Sequence, residues 1–205
     1  GRNAFCENPK SYIYRAKIDL SGKVGKTLEE VKEFAKEGEV NFSSQTQQKL
    51  LSNGVQSPGN LLDSTKPFVR HLREILQLSV EAYRQKFALS TEPFLKNWPQ
   101  RYKLYAWVII VNNDGFLAPH IHKEGWISGT IYLELPKIRN YNEGSISFGL
   151  HGADYPTMNK TFKDTPTQIE EGMIYMFPSS LFHRTIPFQS SQKRISLAFD
   201  VVPIR

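Results

Sequence analysis

The chain has 205 residues, of which 40% are hydrophobic and 12% aromatic, and its 26 Lys and Arg against 20 Asp and Glu give a formal charge of +6. This apolar content excludes a disordered chain, and the apolar runs are too short for a membrane span. The single cysteine, Cys6, excludes an internal disulfide and a cysteine-based zinc site. The basic residues are spread along the sequence, which favours a solvated surface over a nucleic-acid interface. We expect one compact domain with no membrane or nucleic-acid partner and, since no signal-peptide pattern is seen, a cytoplasmic location.

Helix signals fill the first half of the sequence. Thr27 and Glu30 have the spacing of a capping box, which predicts a short helix from there to about Gly38, and a second short helix is expected over residues 45–51. The strongest signal begins at Ser64 and continues as an apolar stripe at three- and four-residue spacing: Phe68, Leu72, Ile75, Leu76, Tyr83 and Phe87. We therefore predict that residues 1–100 form an N-terminal helical region that packs on the rest of the chain.

The second half of the sequence has the pattern of short strands. Runs rich in β-branched and aromatic residues are separated by turns of Gly, Pro and Asn, and lie at residues 104–111, 130–135, 145–148, 173–177 and 194–202. The turn residues 112–115 are expected to end the first run. Many short strands of this kind predict a sandwich or barrel-like double sheet. The predicted fold class is thus mainly β with N-terminal helices, with the β core over residues 101–205.

Three of the five histidines lie at strand edges in this second half. His120 and His122 are two residues apart, so on an extended segment their side chains point to the same side and can bind one ion. A third ligand from a distant strand, for which His183 is the candidate, would complete one face and leave other coordination positions open. The alternative is a set of hydrogen-bonded loop histidines that bind no metal.

Arg194 and Ser196 form a second candidate binding group. Two residues apart on one strand, their guanidinium and hydroxyl groups share a face and together suit a carboxylate. An arginine at the start of an apolar strand is costly to bury without an anion, which supports this interpretation. The alternative is an arginine at the solvent-exposed rim of the sheet.

From about Tyr105 to Pro203 the sequence resembles the Fe(II)- and 2-oxoglutarate-dependent oxygenases, most closely their bacterial and phage branch. The resemblance rests on several short motifs that occur in a fixed order: Pro119–His122, Gly125–Gly129, Tyr132–Pro136, Glu143–Gly144 with Phe148–Gly149, Phe177–Ser179 with His183, Pro187–Phe188, and Arg194 with Ala198–Pro203. Residues 1–100 contribute no motif to it.

The resemblance implies a double-stranded β-helix, or jelly roll, with iron at its open end. It implies that His120, His122 and His183 bind Fe(II), and that Arg194 and Ser196 hold the far carboxylate of 2-oxoglutarate with help from Tyr132. Most of the superfamily carries an acidic second ligand where this chain has His122. A rival assignment therefore takes His122 and Glu124 as the first two ligands, and it stays open at this point.

The function that the resemblance implies is hydroxylation of a peptidyl side chain or a small metabolite, with consumption of 2-oxoglutarate and O2 and release of succinate and CO2. No catalytic residue beyond the metal ligands is expected. Two alternatives remain: a cupin-like three-histidine metalloenzyme that does not use 2-oxoglutarate, and a non-catalytic jelly-roll binding module. Only the oxygenase requires a dicarboxylate site at Arg194 and Ser196.

Overall fold

The computed structural model describes residues 5–45, 49–138, 140, 142–152, 155–156, 159 and 161–204. Within these residues the helices are α1 (Gly22–Gln45), α2 (Val69–Lys86) and α3 (Pro93–Lys96), with 3₁₀ turns at Pro9–Tyr12 and Leu61–Asp63. The strands are β1 (Tyr14–Lys17), β2 (Leu51–Gln56), β3 (Tyr102–Leu117), β4 (Ile127–Glu134), β5 (Ile146–Gly149), β6 (Thr165–Thr167), β7 (Met173–Pro178), β8 (Phe182–Thr185) and β9 (Arg194–Pro203).

The strands form two antiparallel sheets that pack face to face. The major sheet has the order β1-β7-β4-β9-β3-β2, and the minor sheet has the order β6-β5-β8. Tyr132 and Phe177 of the major sheet share a buried cluster with Ile146 and Phe148 of the minor sheet. This arrangement confirms the predicted fold class, which is mainly β with N-terminal helices and a jelly-roll core.

Alternation along β9 decides which side chains reach the space between the sheets. Its odd-numbered side chains from Ile195 to Val201 are buried in the large cluster that includes Leu72 and Leu76 of α2. Its even-numbered side chains from Arg194 to Asp200 therefore point to the opposite face, toward the minor sheet. Helices thus cover one face of the major sheet, and the other face lines the interior of the jelly roll.

Helix α1 is longer than the sequence pattern predicts. Thr27 lies inside it rather than at its N-cap, and its hydroxyl donates to the Lys23 carbonyl at 2.9 Å. Gly38 does not end the helix, because the Phe42 ring packs against it. A Cβ atom on residue 38 would lie 2.3 Å from a carbon of the Phe42 ring, so only glycine fits there. Packing thus overrides the stop signal.

The helix predicted over residues 45–51 is wrong at residues 49–51, whereas Gln45 is the last residue of α1. Lys49 and Leu50 form a turn and Leu51 begins β2, while residues 46–48 lie outside the described part of the chain. The predicted turn at residues 112–115 is wrong as well, since β3 continues to Leu117. Asp114 has a φ of 57°, and the β2–β3 register shifts between Ser52 and Gly54, so the turn residues mark a bulge.

Candidate active site

The fold brings together three histidines that are far apart in the sequence. His120 and His122 lie between β3 and β4, and His183 lies on β8. The backbones of His120 and His183 exchange two hydrogen bonds of 3.0 Å, and the His122 amide donates to the Ser179 carbonyl at 3.1 Å. One ring nitrogen from each histidine lies within 4.8 Å of the other two, so the three can hold a metal ion.

Hydrogen bonds fix the tautomer of all three rings. The Nδ1 of His120 lies 2.7 Å from the Ala118 carbonyl, and that of His183 lies 3.1 Å from the Leu181 carbonyl. The Nδ1 of His122 lies 2.7 Å from a carboxylate oxygen of Asp200. Because these partners only accept hydrogen bonds, each Nδ1 carries the proton and each Nε2 keeps a lone pair for a metal.

Burial keeps His120 and His183 neutral. It lowers the pKa of His120 to about 4, with a further contribution from the nearby His122. Burial, together with His120 and His122, lowers the pKa of His183 well below its usual value. Both rings are thus unprotonated near neutral pH, the form in which an imidazole binds a metal.

Asp200 and two serines complete the surroundings of His122. Both carboxylate oxygens of Asp200 lie within hydrogen-bond distance of the His122 Nδ1, at 2.7 and 2.9 Å. The Ser128 hydroxyl donates to Asp200 at 2.7 Å and lies 2.8 Å from the Ser179 hydroxyl. Asp200 is opposite Ser128 in the β4–β9 register, which places the two side chains on one face.

Arg194, Ser196 and Tyr132 form a second polar group in the interior. Arg194 is only 3% exposed, and its Nη1 lies 3.4 Å from the Ser196 hydroxyl. Its guanidinium carbon lies 5.0 Å from the centre of the Tyr132 ring. Ser196 pairs with Tyr132 across β4 and β9, which brings the three side chains to one place. Burial raises the pKa of Tyr132 to about 12, so its phenol keeps the proton that it can donate.

One cavity is lined by the three histidines and by Arg194 and Ser196. Half of its other lining residues are apolar, namely Trp107, Ile109, Leu117, Ile146, Phe177 and Ala198, and the rest are Gln56, Ser128, Gly129, Thr130, Arg184 and Thr185. An apolar site with a few convergent polar groups is the usual form of a small-molecule pocket.

Several buried polar atoms at this cavity have no hydrogen-bond partner. Of six such atoms in the described part of the chain, three belong to lining residues: Gln56 Oε1, Trp107 Nε1 and Arg194 Nε. A fourth is the hydroxyl of Tyr132, beside Arg194. Buried polar groups are rarely left unpaired in a native protein, so this concentration indicates a site that is completed by a ligand.

Glu124 is not part of the histidine cluster. It lies in the exposed turn before β4, and the metal-competent group in the described residues consists of His120, His122 and His183. The sequence interpretation missed Asp200 and Ser128. Asp200 has the same parity as Arg194 and Ser196 on β9, and this signal could have placed it in the interior.

Comparison with known families agrees with this geometry. Residues 105–200 match the family model described as "Putative 2OG-Fe(II) oxygenase". This part of the chain, which carries the three histidines, Arg194 and Ser196, is a 2OG-Fe(II) oxygenase domain. The predicted family, the enzyme class and the use of Fe(II) and 2-oxoglutarate are thereby confirmed. No curated protein sequence matches the chain.

Solved structures with the same fold cover nearly the whole chain. A prolyl-4-hydroxylase from Pseudomonas putida is 11% identical, with a TM-score of 0.63 over 98% of each chain. A Trichoplax adhaerens prolyl hydroxylase in complex with a hypoxia inducible factor peptide is 13% identical, with a TM-score of 0.61 over 95% of this chain and 85% of that one.

A third structure is HygX from Streptomyces hygroscopicus with nickel, 2-oxoglutarate and hygromycin B bound. It is 13% identical, with a TM-score of 0.52 over 93% of this chain and 82% of that one. At these identities the similarities establish the fold. Among the residues that our structure describes, no helix combines the length and apolar composition needed to cross a membrane.

Proposed function

We propose that the protein hydroxylates a C–H bond of a peptidyl side chain or a small polar metabolite, with Fe(II) held by His120, His122 and His183. The observation that carries the proposal is that one cavity is lined both by this histidine cluster and by the buried Arg194. When bound there, Fe(II) with 2-oxoglutarate and O2 supplies the oxidation that inserts oxygen into the C–H bond, with release of succinate and CO2.

The three imidazoles hold the ion from one side. Each ring is fixed through its Nδ1 to a carbonyl or a carboxylate, so the Nε2 lone pairs are oriented before a metal arrives. The rings of His120 and His183 lie 4.2 Å apart between their centres and are tied by the paired backbone hydrogen bonds. Ligands held in this way leave the opposite side free for other groups.

Arg194, Ser196 and Tyr132 bind the distal carboxylate of 2-oxoglutarate in this proposal. A buried guanidinium without an anionic partner is unfavourable, and its Nε is unpaired. The unpaired Tyr132 hydroxyl and the Ser196 hydroxyl add donors beside it. The cupin-like and non-catalytic alternatives give these three residues no role, so the dicarboxylate site favours the oxygenase.

Apolar walls exclude water from the reacting groups, and two polar atoms remain for the substrate. The Trp107 Nε1 donor and the Gln56 Oε1 acceptor are buried, unpaired and on the cavity wall. They support a substrate that carries a hydrogen-bonding group near the oxidised carbon. The Trichoplax adhaerens structure holds a peptide and HygX holds hygromycin B, so this fold accommodates both a peptide and a small molecule.

The proposal extends to the organisation and location of the protein. We infer that residues 1–100 and 101–205 act as one compact domain, since β1 and β2 form the two edges of the major sheet. A cytoplasmic location is supported by the single, buried Cys6, which leaves no internal disulfide to form.

Succinate formation tests the function. The purified protein, loaded anaerobically with Fe(II), is mixed with 2-oxoglutarate and air, and succinate is quantified with and without candidate peptides and metabolites. The proposal predicts slow succinate release that a true substrate accelerates and that is lost in His183→Ala. Succinate release at the same rate in His183→Ala, or none in the wild type, would contradict it.

A further inference from the structure

One of the three histidines has a different hydrogen-bond partner from the other two. His120 and His183 donate to backbone carbonyls, whereas the His122 Nδ1 lies 2.7 and 2.9 Å from the two oxygens of Asp200. Asp200 is 9% exposed, and the Ser128 hydroxyl donates to it at 2.7 Å. A buried carboxylate that is hydrogen-bonded to one imidazole and one hydroxyl, with no fixed positive charge beside it among the described residues, is costly unless its charge has a function.

The charges in the cavity when Fe(II) and 2-oxoglutarate are bound indicate a function for the Asp200 charge. A divalent ion and the Arg194 guanidinium bring three positive charges, the two carboxylates of 2-oxoglutarate bring two negative charges, and imidazoles that bind a metal add no charge. The other charged lining residue in the described part of the chain, Arg184, forms an ion pair with Asp164. One positive charge would therefore stay uncompensated in an interior that solvates ions poorly.

We propose that Asp200 compensates this charge, acting through His122 as a positioning residue rather than as a metal ligand. The inference rests on the proposed function, because it requires a divalent ion at the three histidines. The carboxylate accepts a hydrogen bond from the His122 Nδ1–H, which leaves the Nε2 lone pair free for the ion and makes that ring a stronger electron donor. Ser128 keeps the carboxylate in place and contributes no charge.

Three variants separate charge from position. Asp200→Asn keeps the size and removes the charge, Asp200→Glu keeps the charge, and Ser128→Ala removes the supporting hydroxyl only. Co(II) affinity of the metal-free protein, followed by visible absorbance, measures the ion site without turnover. We expect Asp200→Asn to weaken Co(II) binding about 10–100-fold. Asp200→Glu should recover most of the affinity, and Ser128→Ala should stay within about threefold of the wild type.

A second readout distinguishes the charge from a purely structural effect. In the anaerobic complex with Fe(II) and 2-oxoglutarate, a less electron-donating His122 moves the metal-to-ligand charge-transfer band to shorter wavelength. Asp200→Asn should show this shift, whereas Ser128→Ala should not. A circular dichroism melt verifies that each variant is folded. If Asp200→Asn is unfolded, Asp200→Glu is tested alone, and its charge-transfer band must stay at the wild-type wavelength.

The outcomes are decisive in either direction. Unchanged Co(II) affinity in Asp200→Asn, or an unchanged band position in its Fe(II) complex, would overturn the inference. So would a shifted band in Asp200→Glu. A wild-type protein that binds no Co(II) would overturn the proposed function, which distinguishes that failure from the failure of Asp200 alone.

Discussion

At the residue scale, the histidine cluster is prepared for a metal by groups that do not bind it. Two backbone carbonyls and one carboxylate each fix an Nδ1 proton. The side chains of His120 and His122 were expected to converge because they are two residues apart on an extended segment, and the structure places them together. The position of His183 opposite them depends on pairing between distant strands.

The ligand assignment gives a direct mutational test. His120→Ala should lose metal binding, because it removes one of three convergent nitrogens. Glu124→Ala should bind Co(II) or Fe(II) like the wild type, since this carboxylate lies in the exposed turn outside the cluster. Isothermal titration of both metal-free variants provides the comparison. Loss of metal in Glu124→Ala with retention in His120→Ala would establish the rival assignment.

Arg194 should control the affinity for 2-oxoglutarate and not that for the metal. Arg194→Ala removes charged hydrogen bonds of roughly 1.5–3 kcal/mol each, so the Kd for 2-oxoglutarate should rise at least tenfold. Arg184→Ala is the matched control, because Arg184 lines the same cavity but is paired with Asp164. Equal losses of 2-oxoglutarate affinity in the two variants would argue against the assigned carboxylate site.

At the element scale, strands that are buried on both faces were predictable and edge strands were not. The runs that became β3, β4, β7 and β9 are rich in apolar residues and buried along most of their length, because helices cover one face and the minor sheet the other. By contrast β1 is half exposed along its length, and β2 contains Ser, Asn and Gly. Their pairing with β7 and β3 comes from the tertiary fold, which local pattern does not encode.

Helix α2 supports the site from the outer face of the major sheet. Leu76 is fully buried in the cluster that includes Ile195 and Leu197, whereas Leu78 is 72% exposed on the same helix. Leu76→Ala should destabilise the protein by about 2–5 kcal/mol, and Leu78→Ala by less than about 0.5 kcal/mol. Urea unfolding measures both. Similar midpoints for the two variants would contradict the packing described.

In the candidate site, too, some contacts are predictable from the sequence and others depend on the tertiary fold. Arg194 and Ser196 are predictable as a pair, because strand periodicity puts them on one face. The interaction of Asp200 with His122 is not predictable in this way, since it depends on how the segment before β4 passes the end of β9. Gln56 comes from an edge strand outside the matched residues 105–200, which is why no motif points to it.

At the scale of the whole molecule, the N-terminal segment is an integral part of the structure. Strands β1 and β2 close the two edges of the major sheet. The Trp126 indole, just before β4, donates to the Phe94 carbonyl of α3 at 2.9 Å, and its ring meets that of Phe5 edge-on at 4.8 Å between centres. The first hundred residues therefore support the segment that carries His120 and His122.

The reactivity of Cys6 tests whether the N-terminal segment is packed on the core. It is fully buried, and burial together with the nearby Glu92 raises the pKa of its thiol to about 12. Since the thiolate is the reactive form, native protein at pH 8 should resist iodoacetamide and react only after unfolding in urea. The unfolded chain loses the thiol proton first, so this contribution to stability is present below about pH 9 and lost as the pH rises toward 12.

Mass spectrometry after iodoacetamide treatment measures how much of Cys6 has been alkylated. Rapid stoichiometric modification of native protein at pH 8 would mean that the N-terminal segment is not packed on the core as described.

The most direct test of the central claim is an anaerobic titration of metal-free protein with Fe(II) and then with 2-oxoglutarate, followed by visible absorbance. We predict a weak metal-to-ligand charge-transfer band that needs both additions, and that requires much more 2-oxoglutarate in Arg194→Ala. Metal binding without any response to 2-oxoglutarate would contradict the dicarboxylate site, and a protein that binds no Fe(II) would contradict the metal centre itself.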